Sequence, residues 1–236
     1  MTTGFTDMHC HILPGVDDGS PDMETSLQML EKEWNEGVGA VILTPHYIQR
    51  HNRYRHDELE KRFEELRQKS KEILPELRLF LGNEILYEPG VAESLRNGRI
   101  HTMAGSRYIL IEFRVTIEEE YIFKAVRECT DMGYKPIIAH VERYFGIQGN
   151  FEALEGLIRQ GALLQCNTQA VTAGFTDGEG RWARKMVKKG MIRFIGTDAH
   201  DMNKRSPQYK KAYEWIVTKC GADMAGKMMK MPFALT

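Results

Sequence analysis

Residues that bind divalent metal ions recur along this chain, each at or shortly after the end of a short apolar run. Five of the eight histidines fall at these positions, together with several carboxylates. The candidate ligands at these positions are His9, His11, His46, Glu84, Glu112, His140, Asp198 and His200. Imidazole and carboxylate groups in such numbers are typical of metal centres, so the pattern predicts a metal-dependent enzyme.

The first two candidate histidines lie in the segment Asp7-Met8-His9-Cys10-His11. Alternate side chains of a β-strand share a face, so His9 and His11 can reach the same metal ion. Met8 and Cys10 then point the other way, which argues against Cys10 as a ligand. Asp7 shares the face of the histidines, and we expect its carboxylate to orient an imidazole.

Taken one at a time, the other candidate ligands are weaker evidence for a metal site. Asp17 and Asp18 lie in a turn-like segment, where aspartate is common without a metal. His46 directly follows an apolar run, and a single histidine there is ambiguous. Glu84 and Glu112 also end apolar runs, where burying an unpartnered carboxylate is costly. Each glutamate therefore needs either a metal ion or a structural ion pair.

Together these donors exceed what one tetrahedral site can use, so we expect two or three clustered divalent ions with Glu84 as a bridge. Nitrogen and oxygen donors without thiolate suit manganese, iron, zinc or similar ions and select poorly among them. Clustered ions lower the pKa of bound water to about 7 and clamp phosphoryl oxygens. The predicted chemistry is hydrolysis of a phosphate ester.

Basic residues also occur near the candidate ligands. Arg143, three residues after His140, is predicted to contact the charge that develops on a phosphoryl group. The alternative is an arginine that lies on the surface or that only supports a metal ligand. The segment YIQRHNRYRH after His46 predicts either a positive rim for a phosphorylated partner or the solvated start of a helix. Its basic residues are Arg50, His51, Arg53, Arg55 and His56.

Strand-like runs alternate with helical patterns over the whole chain. The runs are FTDMHCH, AVILTPH, RLFLGNE, YILIEF, PIIAHVER, ALLQCNTQ and FIGTDAH. Apolar spacing predicts a helix that starts at Ser20-Pro21 and stops at Gly37, and further helices over 57–73, 118–132, 151–160, 180–189 and 208–219. Long loops are expected over 86–106 and 169–181, and the second could form part of a lid.

Seven such units predict an α/β fold, a distorted (β/α)7 TIM-like barrel that forms a single domain over residues 1–236. The carboxyl ends of barrel strands converge on one face, which would bring the candidate ligands together. An open, doubly wound sheet is the alternative, but it would not need ligands on nearly every strand.

Bulk composition narrows the class of protein. A net charge of −1 over 236 residues gives no general attraction to nucleic acid or to an anionic membrane. No apolar stretch approaches the roughly 18 residues of a membrane span, and no secretory signal is recognisable. The four cysteines form no Cys-x-x-Cys pair, so a reduced cytoplasmic chain is expected. None has arginine six residues later, which excludes a Cys-x5-Arg phosphate loop.

The segments DMHCHILPGVDDG, LTPH, GNEI, IEF, HVERY, QCN and TDAH resemble the polymerase-and-histidinol-phosphatase (PHP) superfamily. More narrowly, they resemble its bacterial protein tyrosine phosphatases from capsule and exopolysaccharide operons. The resemblance spans the motifs from Asp7 to His200. Val141 stands where the family often has proline, and Thr197 where it often has serine, but neither change removes a ligand.

The resemblance implies a distorted (β/α)7 barrel with three metal ions, commonly manganese, and it implies which residues share each ion. One ion would take His9, His11, Glu84 and Asp198; a second Glu84, Glu112 and His140; a third Asp18, His46 and His200. Arg143 would contact phosphate, which makes Arg143, Asp18 and His46 the catalytic candidates. The implied partner is a bacterial tyrosine autokinase with a phosphorylated tyrosine-rich tail.

The leading functional hypothesis is therefore metal-dependent hydrolysis of phosphotyrosine on a protein. Phenol is a good leaving group, with a pKa of about 10, so a strong general acid is less necessary. A small-molecule phosphatase of the histidinol-phosphatase type is the alternative on the same site. Exonuclease action is disfavoured because the chain lacks a basic, aromatic binding stripe. A non-catalytic protein with structural metals is the third hypothesis.

Overall fold

Parallel strands alternate with helices along the chain, which confirms the predicted α/β class. The computed structural model describes residues 4–52 and 54–231. In this part of the chain the strands are β1 (Phe5–Cys10), β2 (Val38–Leu43), β3 (His46–Tyr47), β4 (Arg78–Leu81), β5 (Glu84–Leu86), β6 (Tyr108–Glu112), β7 (Lys135–Ile138), β8 (Leu163–Asn167) and β9 (Phe194–Gly196). The α-helices there are α1 (Met23–Asn35), α2 (His56–Ile73), α3 (Val91–Arg96), α4 (Glu119–Asp131), α5 (Phe151–Arg159), α6 (Thr168–Thr172), α7 (Gly178–Lys188), α8 (Lys210–Cys220) and α9 (Ala222–Met228).

Two of the seven predicted strands are interrupted, so each contributes to two sheets. Thr44-Pro45 separates β2 from β3, where proline lacks the N–H that a ladder needs. Gly82-Asn83 likewise separates β4 from β5. The resulting sheets have the strand orders β1-β2-β4 and β3-β5-β6-β7-β8-β9, and every pairing is parallel.

The first strand meets the chain that follows the last strand. The His11 N–H donates to Ala199 O at 2.8 Å, and the Asp198 N–H donates to His9 O at 2.7 Å. The parallel sheet is therefore curled, and the ends of β1 and β9 are neighbours. This curl brings the carboxyl ends of the strands toward one another, where the candidate ligands lie.

The core has two layers. A small inner cluster takes most of its side chains from strands and consists of Met8, Ile42, Met103, Leu110, Ile137, Ala139 and Phe194. A larger cluster packs the outer faces of the strands against the helices, for example through Met29 and Leu30 of α1. Cys10 belongs to this outer cluster and Met8 to the inner one, because the register of β1 shifts between Asp7 and Cys10. The expectation that they share a face was wrong.

The six predicted helices correspond to α1, α2, α4, α5, α7 and α8 and agree with them to within two residues, except at the start of α1, whereas α3, α6 and α9 were not predicted. The predicted Ser20-Pro21 start was wrong, because Asp22 is the N-cap and accepts from the Thr25 N–H at 2.8 Å. The Ser20 hydroxyl donates to Asp22 O instead. Gly37 follows the helix with φ of 94°, a left-handed conformation that glycine adopts without strain.

The two predicted long loops both contain helix. The segment 86–106 includes α3 and a 3-10 turn, Met103–Gly105, and the segment 169–181 includes most of α6 and the start of α7. Arg184 ties the second segment down by donating to Ala173 O at 2.8 Å. A lid function for it stays a prediction. Within the described ranges, no helix is both long and apolar enough to cross a membrane.

Candidate metal centre

Glu84 lies at the centre of the candidate site, at the start of β5. Its side chain is 1% exposed, and its carboxylate contacts four imidazoles. The distances from a carboxylate oxygen to the nearest imidazole nitrogen are 3.1 Å for His9, 3.1 Å for His11, 3.1 Å for His46 and 2.8 Å for His140. Residues from four separate parts of the sequence therefore meet at one buried carboxylate.

The ligand atoms form three overlapping groups around this carboxylate. Within each group one ligand atom per residue lies within 4.8 Å of the others, and the groups are His9, His11, Glu84 and Asp198; His46, Glu84 and Glu112; and His11, Asp18, His46 and His200. His140 adjoins the second group, with its Nε2 3.7 Å from Glu112 Oε2. All nine candidates thus meet, and the groups resemble the three sets that the family resemblance implies.

Neighbouring acceptors fix the orientation of the histidine rings. His9 Nδ1 lies 3.2 Å from the amide oxygen of Gln165, and His11 Nδ1 lies 2.8 Å from Asp17 Oδ2. His200 Nδ1 lies 2.9 Å from the backbone oxygen of Asp198. Because these oxygens only accept, each Nδ1 carries hydrogen, and each Nε2 is left to bind a metal.

Asp7 does not orient an imidazole, so that prediction was wrong. Its carboxylate accepts from the Thr197 N–H at 3.0 Å, from the Thr197 hydroxyl and from the His9 N–H at 3.3 Å. The residue therefore joins the backbones of β1 and the β9 end instead of holding a ring. Thr197 supplies the same hydroxyl that serine would supply at this position.

Two arginines contact the Asp198 carboxylate. Arg143 Nη2 lies 2.9 Å from Asp198 Oδ2, and Arg205 Nη2 lies 2.7 Å from Oδ1. The Asn167 amide also donates to Asp198 at 2.8 Å, whereas the Gln169 amide donates to the backbone oxygen of Lys204 at 3.1 Å. Sequence analysis missed Arg205, and the only available signal was its position five residues after His200. Both arginine side chains are about one-third exposed, at 32% and 36%.

Two of the candidate ligands have a left-handed backbone. His140 has φ of 30° and Asp198 has φ of 52°, a region that costs a residue other than glycine about 1–3 kcal/mol. Both follow the ends of strands, β7 and β9. This conformation turns their side chains toward Glu84 and its neighbours, so backbone strain occurs where the site needs it.

Close charges shift the pKa values of the cluster. Burial alone would lower the pKa of His46, but the Glu84 charge and a hydrogen bond to Asp18 raise it to about 12. Burial opposes charge on His11 in the same way, yet Asp17 raises its pKa to about 9. Burial would raise the pKa of Glu84, but the charges of His9 and His46 hold it well below its ordinary value. Protons thus balance the buried carboxylates, and a metal ion would displace them.

Several buried atoms in the cluster have no hydrogen-bond partner, which fits a cation site. Glu84 Oε2, His46 Nδ1 and His200 Nε2 are such atoms: Glu84 Oε2 lies 3.1 Å from nitrogens of His11 and His46, but the angles do not allow a hydrogen bond. A buried polar atom without a partner costs about 1–3 kcal/mol, and ligation of a metal would remove that cost. The donor set contains oxygen and imidazole nitrogen and no thiolate, which suits divalent transition ions.

A cavity of about 210 Å³ opens beside two of the candidate ligands, Asp18 and His46. Ile48, His51 and Asn52 from the basic segment also line it. The other basic residues of that segment divide between the two predictions, a positive rim near the site and the solvated start of a helix. Arg50 is exposed, Arg55 and His56 begin α2 and pair with acidic residues of the same helix, and Arg53 lies outside the described residues.

Gly196→Ala is expected to disturb the metal centre through packing alone. A methyl group at Gly196 would lie 2.7 Å from His9 Cβ and 3.2 Å from Gln165 Nε2. Overpacking of this kind costs about 1–3 kcal/mol, so urea unfolding should shift and bound metal should fall. Gly174→Ala is the matched control, since a methyl group there meets nothing within 4 Å. Unchanged stability and metal content in Gly196→Ala would show that this contact does not hold His9.

The fold and the donor set define a class of protein, one with a cluster of candidate metal ligands at the carboxyl ends of a curled parallel sheet. The chain belongs to the family described as capsular polysaccharide synthesis, CpsB/CapC, which it matches over residues 5–232. It is 29% identical over 94% of its length to the tyrosine-protein phosphatase CpsB of Streptococcus pneumoniae, covering 93% of that protein. It is 33% identical over 89% of its length to the putative tyrosine-protein phosphatase CapC of Staphylococcus aureus, covering 82% of it.

Solved structures agree with this assignment. A chain from the crystal structures of YwqE from Bacillus subtilis and CpsB from Streptococcus pneumoniae, described as metal-dependent tyrosine phosphatases, superimposes with a TM-score of 0.86. It is 26% identical, and the match covers 94% of this chain and 90% of that one. A phosphotriesterase homology protein from Escherichia coli has a TM-score of 0.58 at 10% identity, a likeness that concerns the fold alone.

Proposed function

We propose that this protein is a metal-dependent protein-tyrosine phosphatase with a distorted (β/α)7 barrel that forms one domain. The observation that carries the proposal is the contact of four imidazoles with the buried Glu84 carboxylate, in a chain of the CpsB/CapC family. The names of its relatives support phosphotyrosine as the substrate. The proposed protein substrate is the phosphorylated tail of a bacterial tyrosine autokinase in the cytoplasm.

Two or three divalent ions, manganese first, are proposed to occupy the cluster. The first would be held by His9, His11, Glu84 and Asp198, the second by Glu84, Glu112 and His140, and the third by Asp18, His46 and His200. When bound, such ions activate water at neutral pH and offset negative charge on a phosphoryl group. His46 belongs to two of the groups, because its Nδ1 faces Glu84 and its Nε2 faces Asp18.

The protein's own groups would bind and orient the phosphoryl group. Arg143 and Arg205 each place a guanidinium beside Asp198, and their partial exposure lets them reach a ligand at the site. Guanidinium groups bind phosphate oxygens with two parallel hydrogen bonds. The cavity beside Asp18 and His46 offers Ile48 as an apolar wall for a tyrosyl ring. No strong general acid is required, because the phenolate leaves readily.

Arg143→Ala is expected to lower kcat/KM on a phosphotyrosine peptide by about a hundredfold while metal content stays near normal, because the residue stabilises charge instead of ligating metal. Elemental analysis and steady-state kinetics check the two halves of this prediction. Arg159→Ala, which removes an exposed arginine paired with Glu155 on α5, is the control. Full activity in Arg143→Ala would refute the assigned role.

Substrate choice is tested by comparing catalytic efficiency on a phosphotyrosine peptide and on histidinol phosphate, with the same manganese-loaded preparation. We expect the peptide to be preferred. A preference for histidinol phosphate would favour the small-molecule phosphatase, and full metal content without turnover of either would favour structural metals.

A further inference from the structure

A second group of metal-binding side chains lies outside the candidate metal centre. His56 and Glu60 are one turn apart on α2, and His101 comes from the segment between α3 and the 3-10 turn Met103–Gly105. One ligand atom from each residue lies within 4.8 Å of the others. Glu60 Oε1 is 3.5 Å from His56 Nε2 and 4.0 Å from His101 Nε2. The group shares no residue with the clusters around Glu84.

His101 presents a nitrogen that is ready to bind a metal. Its Nε2 is buried and has no hydrogen-bond partner, although the side chain is 17% exposed. Burial and the neighbouring His56 lower the pKa of His101 to about 4, so the ring is neutral at physiological pH. A neutral imidazole keeps the lone pair that a metal needs. A buried nitrogen without a partner is costly, and a bound cation would remove that cost.

The fold holds His101 in place and leaves the other two groups adjustable. The His101 N–H donates to Asn83 Oδ1 at 2.8 Å, and the buried Asn83 amide donates in turn to Pro45 O and to the Tyr54 hydroxyl, both at 2.9 Å. His56 and Glu60 are 42% and 60% exposed and can rotate. The rings of His56 and His101 are parallel, with centroids 4.3 Å apart, so a modest rotation of His56 would direct both nitrogens at one ion.

We propose that His56, Glu60 and His101 form a separate site for a borderline divalent transition ion, with Zn²⁺ as the best probe. Two imidazoles and one carboxylate, with a fourth position left to solvent, match a common zinc ligand set. Imidazole suits zinc and copper, and divalent sites in general bind Zn²⁺ more tightly than Mn²⁺, so Zn²⁺ is the more sensitive probe of this site. His101 also borders a cavity of about 740 Å³ lined by Phe63, Arg67 and Phe80, which leaves room for an added ligand.

Zinc uptake by the manganese-loaded protein tests this site. The wild type, His56→Ala, His101→Ala and Glu65→Gln are dialysed against a series of free Zn²⁺ concentrations, and bound zinc and manganese are measured by elemental analysis. Glu65→Gln is the matched control, because Glu65 lies on the same helix and faces Lys69. Zinc should replace manganese at the Glu84 centre to the same extent in all four proteins. The readout is therefore the difference in bound zinc between each variant and the wild type.

We expect His56→Ala and His101→Ala each to bind one zinc ion fewer than the wild type, while Glu65→Gln binds as many. His56 lies at an exposed helix start, so its variant tests the site even if His101→Ala folds poorly. Equal zinc binding by His56→Ala and the wild type at every concentration would overturn the proposal. The result is independent of phosphatase activity, so it stands whether or not phosphotyrosine is the substrate.

Discussion

Glu84→Gln is expected to abolish phosphatase activity and to reduce bound metal in the same preparation. The substitution preserves size and removes the charge that four imidazoles and two proposed ions share. Loss of a residue that merely orients a ligand costs about 10–100-fold, so loss of a bridging ligand should exceed about a hundredfold. Elemental analysis and turnover of a phosphotyrosine peptide measure both effects.

Glu93→Gln provides the control, since Glu93 is an exposed carboxylate on α3. It should retain both metal and activity. The metal-centre assignment would be refuted if Glu84→Gln kept full activity. Retained activity together with normal metal content would also remove the argument for Glu84 as a bridge.

In the protein stripped of metal, the free energy of unfolding should depend strongly on pH. The pKa of His11 is raised to about 9 and that of His46 to about 12, from ordinary values near 6.5. A raised folded-state pKa stabilises the fold fully below pH 6.5, and that contribution is lost as pH rises through the folded value. We therefore expect the free energy of unfolding to fall by several kcal/mol between pH 6.5 and 9, with about 3 kcal/mol from each histidine.

At acidic pH the free energy of unfolding should instead rise with pH, because the folded-state pKa values of Glu84 and Asp198 are lowered. Their contribution is present above the ordinary values near 4 and is lost as pH falls further. Urea unfolding of the chelated protein should thus show greatest stability between about pH 4.5 and 6.5. Replacing His11 by glutamine should flatten the alkaline limb. A stability that rises steadily from pH 6.5 to 9 would contradict the charge arrangement described for the site.

The sequence predicted which residues meet better than it predicted how the backbone brings them together. Ligand types after successive buried strands indicated convergence because parallel strands end on one side of a sheet. The breaks at Thr44-Pro45 and Gly82-Asn83 divide the strands between two sheets, and each places a ligand, His46 or Glu84, directly after the break. Short apolar runs carry no signal for such breaks beyond the proline and the glycine themselves.

Most of the contacts that orient the ligands could not be predicted from the sequence. Gln165 reaches His9 across more than 150 positions, and Arg205 reaches Asp198 from an irregular segment without helical or strand periodicity. Asp7 illustrates the converse error, since strand alternation placed it beside the imidazoles. In the structure its carboxylate binds Thr197 and the backbone, because the chain after β9 packs against β1. Such contacts depend on how the sheet closes, which no local pattern encodes.

The most direct test of the metal-dependent mechanism is phosphate release from a phosphotyrosine peptide by the purified protein before chelation, after chelation and after manganese is restored, with metal content measured at each stage. We predict that activity disappears with the metal and returns with it. Treatment of the folded protein with an alkylating reagent should leave activity intact, since only Cys220 is partly exposed and Cys10, Cys129 and Cys166 are buried. Activity that survives complete chelation and is lost on alkylation would contradict the account.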